Sequence, residues 1–200
     1  MIFPQIAEVN GQGNAYNVRC AHALQVLTGG SRRLPTGKAN HAGPIHPETR
    51  IGHVHLKVSD LERSLRFYCG VLGFDMTQRF NSRTAFVSTG GYHHLIGLNT
   101  RDSLGGSAPA PNSTGLYHIA ILYPTRSALA DALRRLKRAN VMIEQVINHG
   151  VSEAVYVRDP DGIALELCWD FPESQWPRKA DGSLNAFAKP LNPDHLLKSN

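Results

Sequence analysis

The feature that most constrains this chain is an internal repeat. Residues 51–99 and residues 115–170 both read as a strand, a helix and three further strands. The opening strands match, because His53 to Leu56 in the first copy corresponds to His118 to Ile121 in the second. A repeat of this length indicates two similar supersecondary units that stack to bury their apolar faces. The sequence therefore predicts an α+β protein made of two paired βαβββ modules.

Hydrophobic periodicity places the strands within each copy. In the first strand, Val54, Leu56 and Val58 alternate with polar residues, which is the pattern of a half-buried strand. The predicted strands cover residues 51–58, 74–80, 84–88, 93–99, 116–122, 142–147, 153–157 and 163–169.

One helix is predicted after the opening strand of each copy. A capping-box pattern at 59–62 opens the first helix, and Gly70 and Gly73 are expected to end it. The second helix covers 126–138. The stripes that these helices are predicted to bury are Leu61, Leu65 and Tyr68 in the first and Leu129, Leu133 and Leu136 in the second.

The repeat divides the chain into three parts. These are an N-terminal appendage (1–48), one domain (49–170) and a C-terminal arm (171–200). The appendage is rich in Gly and Pro, and only residues 21–27 have the pattern of a short helix. The arm is Pro-rich and polar, and it is expected to pack on the surface through Trp176 and Phe187.

Charge and cysteine usage exclude several function classes. The chain carries 21 Lys and Arg against 16 Asp and Glu, a net charge of +5, but no aromatic residues interleave with the basic run at 126–138. A single-strand nucleic-acid binder needs such aromatics, so no nucleic-acid partner is expected. No stretch has the apolar length to span a membrane. The three cysteines form no CxxC pair, which argues against a disulfide framework and favours a reducing cytoplasm.

Three residues form a candidate metal site. His53 and His118 occupy matching places in the two copies, so a pseudo-two-fold relation points both imidazoles into one cleft. Glu166 lies opposite the apolar face of the last strand, where a carboxylate is costly to bury unless it is paired or metal-bound. Two imidazoles and one carboxylate match the facial triad of non-haem Fe(II), and Mn(II) fits the same ligands. His55 shares the face of His53 and remains an alternative, and each histidine alone is more often a core or edge residue.

Both copies resemble a known superfamily. The stretch from Gly52 to Ser64, continuing through Phe67-Tyr68 to 71–74, resembles the opening module of vicinal oxygen chelate proteins, and 116–120 and 159–167 fall in register with the second. That group includes glyoxalases, extradiol dioxygenases, fosfomycin-inactivating thiol transferases and bleomycin-binding proteins. The resemblance covers residues 51–170. It implies one open barrel of paired βαβββ modules around a divalent metal held by His53, His118 and Glu166.

The chain lacks one of the metal ligands of glyoxalases, and this absence indicates the subgroup of the superfamily. Where glyoxalases place a fourth, carboxylate ligand, this chain has Gly97. The resemblance therefore implies the three-ligand site of extradiol dioxygenases, with His94 as acid–base residue and His93 as second choice. Strand parity puts His93 rather than His94 on the face of Gly97, so His94 requires a bulge or a shifted register.

Two further positions are similar to residues around the substrate of that subgroup. Tyr156 matches a tyrosine that touches the substrate oxygen, and His149 matches a second histidine. The tail from 170 to 182 also resembles proteins similar to catechol 2,3-dioxygenase. These resemblances imply an Fe(II)-dependent extradiol dioxygenase that acts on a small catechol-type aromatic. If the chain has a protein partner, we expect a second copy of itself, and the sequence leaves open whether the two modules close within one chain or swap across a dimer. The alternatives are a glyoxalase-like lyase, a fosfomycin-type thiol transferase and a non-catalytic ligand-binding protein.

Overall fold

The computed structural model describes residues 43–198. Most of the predicted appendage, including its helix at 21–27, lies outside this range. All helices and strands of the described chain belong to one compact unit that begins at Thr49. In residues 43–198 no helix has both the length and the apolar character that a membrane crossing needs.

The order of elements confirms the repeat. Each copy has a strand, a helix and three strands, and the C-terminal arm adds a short strand and a helix. The strands are β1 (Val54–Lys57), β2 (Asp75–Asn81), β3 (Thr84–Ser88), β4 (Ile96–Asn99), β5 (Ile119–Leu122), β6 (Ile143–Asn148), β7 (Ser152–Arg158), β8 (Ala164–Asp170) and β9 (Lys189–Pro190). The helices are α1 (Leu61–Leu65), which continues as a π-helix (Arg66–Leu72), then α2 (Arg126–Arg138), a 3₁₀ turn (Glu173–Gln175) and α3 (Pro193–Leu197).

The strands form two sheets with the same internal order. The first sheet runs β1-β4-β3-β2 and the second β5-β8-β7-β6-β9, so β1 and β5 are the outer strands of their sheets. In each sheet the opening strand pairs in parallel with the last strand of its module, and the other module strands pair antiparallel. The two modules therefore share topology as well as sequence pattern, as expected for the α+β fold of paired modules.

Helix α1 begins one residue later than the capping-box pattern predicts. The N-cap is Asp60, whose carboxylate accepts from the amide of Arg63, and not Ser59. The hydroxyl of Ser59 accepts instead from the guanidinium of Arg63, and Glu62 pairs with Arg79. The Ser and Glu of the pattern are thus engaged elsewhere, and the neighbouring carboxylate caps the helix.

The predicted end of this helix is correct at one glycine and wrong at the other. Gly70 lies inside the π-helix, which ends at Gly73 in the left-handed conformation (φ 89°). Only the second glycine meets the requirement for positive φ at a helix C-terminus. Leu61, Leu65 and Tyr68 are buried, as the stripe predicts.

Helix α2 has its predicted bounds and buried face. Thr125 caps it by accepting from the amide of Ala128. Leu129, Leu133 and Leu136 are fully buried in a core that both modules share. A helix with one apolar stripe and a basic opposite face is well defined by sequence alone, which explains the agreement.

Three strands begin three residues later than predicted, while β2, β6 and β8 begin one residue later. β1, β4 and β5 begin at Val54, Ile96 and Ile119, not at residues 51, 93 and 116. The pairing of β1 with β4 starts at Val54 opposite Ile96, and that of β5 with β8 starts at Ile119 opposite Leu165. His53, His94 and His118 therefore precede the regular strands instead of lying within them.

The C-terminal arm is more regular than an extended segment. β9 joins the second sheet beside β6, and α3 packs against α2 with Leu196 fully buried. The indole N–H of Trp176 donates to the carbonyl of Phe171 at 2.8 Å. Sequence analysis does not predict the strand or the helix, because both are too short to show a period.

Polar contacts join the modules beside α1. The hydroxyl of Tyr68 donates to the buried carboxylate of Asp159 at 3.0 Å. Asp161 accepts from the amide of Ser59 at 3.1 Å and from the guanidinium of Arg63 at 2.7 Å. These bonds fix the turn that leads into β8, and with it the strand that carries Glu166.

Candidate metal centre and active site

Strand register makes the two halves of the site equivalent. Val54 pairs with Ile96 as Ile119 pairs with Leu165, so His53 and His118 occupy the same place in their modules. One residue further along the last strands, Gly97 is the counterpart of Glu166. The register therefore supports the alignment of Gly97 with a carboxylate position.

A hydrogen-bonded cluster lies on the second module. Nε2 of His118 is 3.0 Å from Oε2 of Glu166. The hydroxyl of Tyr156, opposite Glu166 in the neighbouring strand, donates to Oε1 at 2.8 Å. Nε2 of His149 lies 2.9 Å from that hydroxyl. Four sequence-predicted residues, His149, Tyr156, Glu166 and His118, thus form one continuous chain of contacts.

Protonation within this cluster follows from its donors. Burial, followed by the hydrogen bond to Glu166, raises the pKa of Tyr156 above its ordinary value, so the phenol keeps its proton. Because that proton goes to Glu166, His149 must donate from Nε2 to the phenol oxygen.

A second cluster, of aromatic rings, lies on the first module. The rings of His53 and His94 are 4.4 Å apart, and Phe86 packs on His94 at 4.8 Å. Desolvation, followed by the charges of His53 and its neighbours, lowers the pKa of His94. The neutral imidazole, which is able to accept a proton, is therefore favoured.

The position of His94 requires no bulge. Because β4 begins only at Ile96, His93 and His94 lie in a bend where strand parity does not apply. His93 turns toward Tyr92, with ring centroids 4.2 Å apart, while its Nδ1 lies 2.6 Å from Nδ1 of His94. Of the two, His94 is the one that packs on His53.

Gly97 has a second significance that sequence analysis missed. A Cβ at this position would lie 2.9 Å from Cδ2 and Cγ of His55, so the imidazole of His55 lies directly over the glycine. His55 therefore occupies the space into which a side chain at the counterpart of Glu166 would project. The matched register of the two copies was the signal for this arrangement, since His55 and Gly97 are directly paired.

The three predicted metal ligands are only partly brought together. His53 and His118 line one cavity of about 640 Å³, walled mainly by aliphatic side chains of β1, β4 and β5. Glu166 contacts His118 directly. Within residues 43–198, however, no group of three His, Cys, Asp or Glu side chains is arranged tightly enough to hold a metal ion.

The donor atoms nevertheless suit a divalent first-row metal. Ligand bonds of about 2.1 Å at a right angle place two donor atoms about 3 Å apart. Nε2 of His118 and Oε2 of Glu166 have this separation, at 3.0 Å. Nδ1 of His118 is buried without a hydrogen-bond partner, so Nε2 is the nitrogen that this residue presents to the site.

The fold and these clusters define a two-module domain with a candidate His–carboxylate centre. The Glyoxalase/Bleomycin resistance protein/Dioxygenase superfamily matches residues 50–167, and the chain belongs to this family. A catechol-2,3-dioxygenase from Bacillus subtilis (strain 168) is 41% identical over 154 residues, which cover 77% of this chain and 53% of that protein. The chain thus spans about half the length of that relative.

Two further comparisons extend the family relation. A probable lactoylglutathione lyase from a Synechocystis species is 27% identical over 120 residues, which cover 58% of this chain and 91% of that protein. The crystal structure of a glyoxalase/dioxygenase from Nostoc punctiforme superimposes with a TM-score of 0.55 at 21% identity, over 68% of this chain and all of that one. The latter likeness confirms the fold, and both kinds of homologue are enzymes by name.

Proposed function

We propose that this chain is an extradiol ring-cleaving dioxygenase that acts on a catechol-type aromatic and uses a divalent metal, Fe(II) in first place and Mn(II) in second. The observation that carries the proposal is the contact chain from His149 through Tyr156 and Glu166 to His118. It puts a protonated phenol and a second histidine beside a His–carboxylate pair. The similarity to a catechol-2,3-dioxygenase supports the same reading.

In this proposal His53, His118 and Glu166 hold the metal. A bound Fe(II) would supply the Lewis-acid and redox chemistry that cleavage of a diol by dioxygen needs. Glu166 keeps its second oxygen on the hydroxyl of Tyr156, so the carboxylate is oriented before substrate arrives. The aliphatic side chains of the cavity beside His53 and His118 offer an apolar surface on which the ring would pack.

The remaining residues handle protons and charge. His94, with its lowered pKa, accepts a proton from a substrate hydroxyl. Tyr156 and His149 donate within the cluster in this structure, and on substrate binding one of these donors would turn to the oxygen on which negative charge develops. Their mutual hydrogen bond keeps both donors in place in the absence of substrate.

The lyase alternative requires a different ligand set. A glyoxalase-like site would take a fourth carboxylate from the counterpart of Glu166, which is Gly97. The imidazole of His55 lies over this glycine and fills the place of such a side chain. This packing favours the three-ligand chemistry over the lyase, although a probable lyase is among the relatives.

The test is anaerobic reconstitution with Fe(II), followed by oxygen uptake with a panel of catechols. The expected result is one bound ion per chain, stoichiometric oxygen uptake and a yellow ring-opened product. Metal binding without oxygen uptake would reject the dioxygenase and move the activity to lyase or thiol-transferase chemistry. Failure to bind Fe(II) or Mn(II) under any condition would leave a ligand-binding protein.

A further inference from the structure

The C-terminal arm is built onto the loop that carries His149. Lys189 and Pro190 of β9 pair with Asn148 and Ile147 at the end of β6. The amide of Phe187 then donates to the carbonyl of His149 itself at 3.0 Å. The arm therefore continues the second sheet up to the residue that contacts Tyr156.

The turn after His149 is shaped to receive a side chain of the arm. Gly150 has φ 78°, and a Cβ there would lie 2.6 Å from Cε1 of the Phe187 ring. The amide of Gly150 donates to the side chain of Asn148 at 2.7 Å, and the amide of His149 donates to the carbonyl of Ser152 at 2.8 Å. Hydrogen bonds within the turn therefore hold its backbone, and the Phe187 ring packs against Gly150.

Phe187 does not behave as a core residue. Its relative exposure is 38%, and the ammonium of Lys189 lies 4.8 Å from its ring centroid. The ring is only partly covered and lies outside the hydrophobic core. The ring contacts Gly150, the residue that directly follows His149.

We propose that Phe187 is a positioning residue that acts through Gly150 to hold the His149 imidazole at the hydroxyl of Tyr156. The inference rests on the proposed function, since it gives His149 a role beside the reacting oxygens. It makes the C-terminal arm a working part of the site. The arm fixes the turn, the turn fixes the imidazole, and the imidazole fixes the phenol that donates to Glu166.

The test combines substitutions of Phe187 and His149 in the iron-loaded protein. Phe187→Ala is expected to lower kcat with the best catechol about tenfold, at unchanged KM and iron content, as loss of a supporting contact does. In a His149→Gln background the same substitution should have less than a twofold effect, because the residue that it positions is gone. Phe187→Leu, which refills the space over Gly150, should recover most of the rate.

Leu184→Ala is the matched control, because Leu184 lies in the same arm and pairs there with Arg178. It is expected to leave kcat unchanged. An equal loss from Phe187→Ala with and without His149, or no loss at all, would overturn the proposal. A loss that Phe187→Leu does not restore would also overturn it.

A readout independent of turnover separates this inference from the proposed function. Long-range ¹H–¹⁵N spectra of the imidazoles report the tautomer and hydrogen bond of His149. Phe187→Ala should shift or broaden the His149 signals, while Leu184→Ala should not. If no catechol consumes oxygen, the proposed function fails, and these spectra still decide the positioning role. An unchanged His149 signal in Phe187→Ala would refute that role.

Discussion

At the scale of single residues, the two modules differ at one pair of equivalent positions in their last strands. Glu166 and Gly97 occupy equivalent places in β8 and β4, but one carries a carboxylate and the other no side chain. His55 fills the vacant space in the first module. The pseudo-symmetric fold thus has two equivalent positions, and only one of them carries a carboxylate.

The packing of His55 on Gly97 predicts a specific coupling. Gly97→Ala should lower the free energy of unfolding by about 1 kcal/mol, because its methyl group overlaps the imidazole ring. The double variant His55→Ala/Gly97→Ala should lose less than the sum of the two single variants in urea unfolding. Strict additivity would mean that the ring moves aside freely and that this contact contributes nothing.

The metal ligands predict a second contrast at this scale. His53→Ala and His118→Ala should each reduce the affinity for Fe(II) more than tenfold, since a three-ligand site has no redundancy. His55→Ala, two residues further along the chain within β1, should keep its metal. Metal analysis after anaerobic reconstitution and desalting measures both. Retention by His53→Ala together with loss by His55→Ala would transfer the ligand role to His55.

At the scale of elements, agreement between sequence and structure depends on the length of the pattern. α2 has thirteen residues and one apolar stripe, and its bounds are predicted correctly. The first helix changes from α to π after Leu65, which no local periodicity reports. The strands β1, β4 and β5 begin late because pairing with a distant strand, and not local alternation, sets their first residue.

The cap of α2 provides a test at this scale. Thr125→Ala should lower the free energy of unfolding by about 1 kcal/mol, because the amide of Ala128 loses its side-chain acceptor. Thr125→Ser keeps the hydroxyl and should remain within a few tenths of a kcal/mol of the parent. Thermal and urea unfolding measure both variants. Equal loss in the two would show that the methyl group, and not the cap, matters.

At the scale of the whole molecule, polar contacts between the two modules fix their relative position. Tyr68 on the first helix donates to Asp159 at the turn before β8, and Arg63 pairs with Asp161 in the same turn. A buried polar pair of this kind is costly to break, since a partner left alone stays desolvated. These contacts determine where Glu166 stands relative to the first module.

The Tyr68–Asp159 pair predicts a pH dependence of stability. Burial raises the pKa of Asp159 in the folded chain above that of the unfolded chain. The stabilisation that comes from the raised pKa of Asp159 is therefore fully present below a pH of about 4, the ordinary pKa of an Asp carboxyl. This stabilisation is lost as the pH rises through the raised pKa of the folded chain. The unfolding free energy of the parent relative to Asp159→Asn should fall as the pH rises above about 4.

Urea unfolding at a series of pH values measures this difference. Asp102→Asn is a suitable control, because Asp102 is exposed and forms only a long ion pair with Lys57. The control should show no comparable trend relative to the parent. A difference between the parent and Asp159→Asn that stays constant, or increases with pH, would contradict the raised pKa.

The sequence by itself determined the two-module α+β fold and, through the repeat and the family resemblance, named the residues around the candidate site. The fold was predictable because its pattern repeats along the chain, and the site residues because they lie in motifs that match the family. The bounds of α2 were predictable because a long amphipathic pattern defines a helix. The ligand assignments of His53, His118 and Glu166 remain predictions.

Only the tertiary structure decided how these residues meet. In the structure the His55 imidazole lies over Gly97, and His94 rather than His93 packs on His53. Hydrogen bonds also link His149, Tyr156 and Glu166 in one chain. Phe187 also packs on Gly150. Each of these contacts joins segments whose meeting depends on strand pairing or on a bend. Local sequence fixes which side chains a segment offers, but the register between strands decides which of them touch.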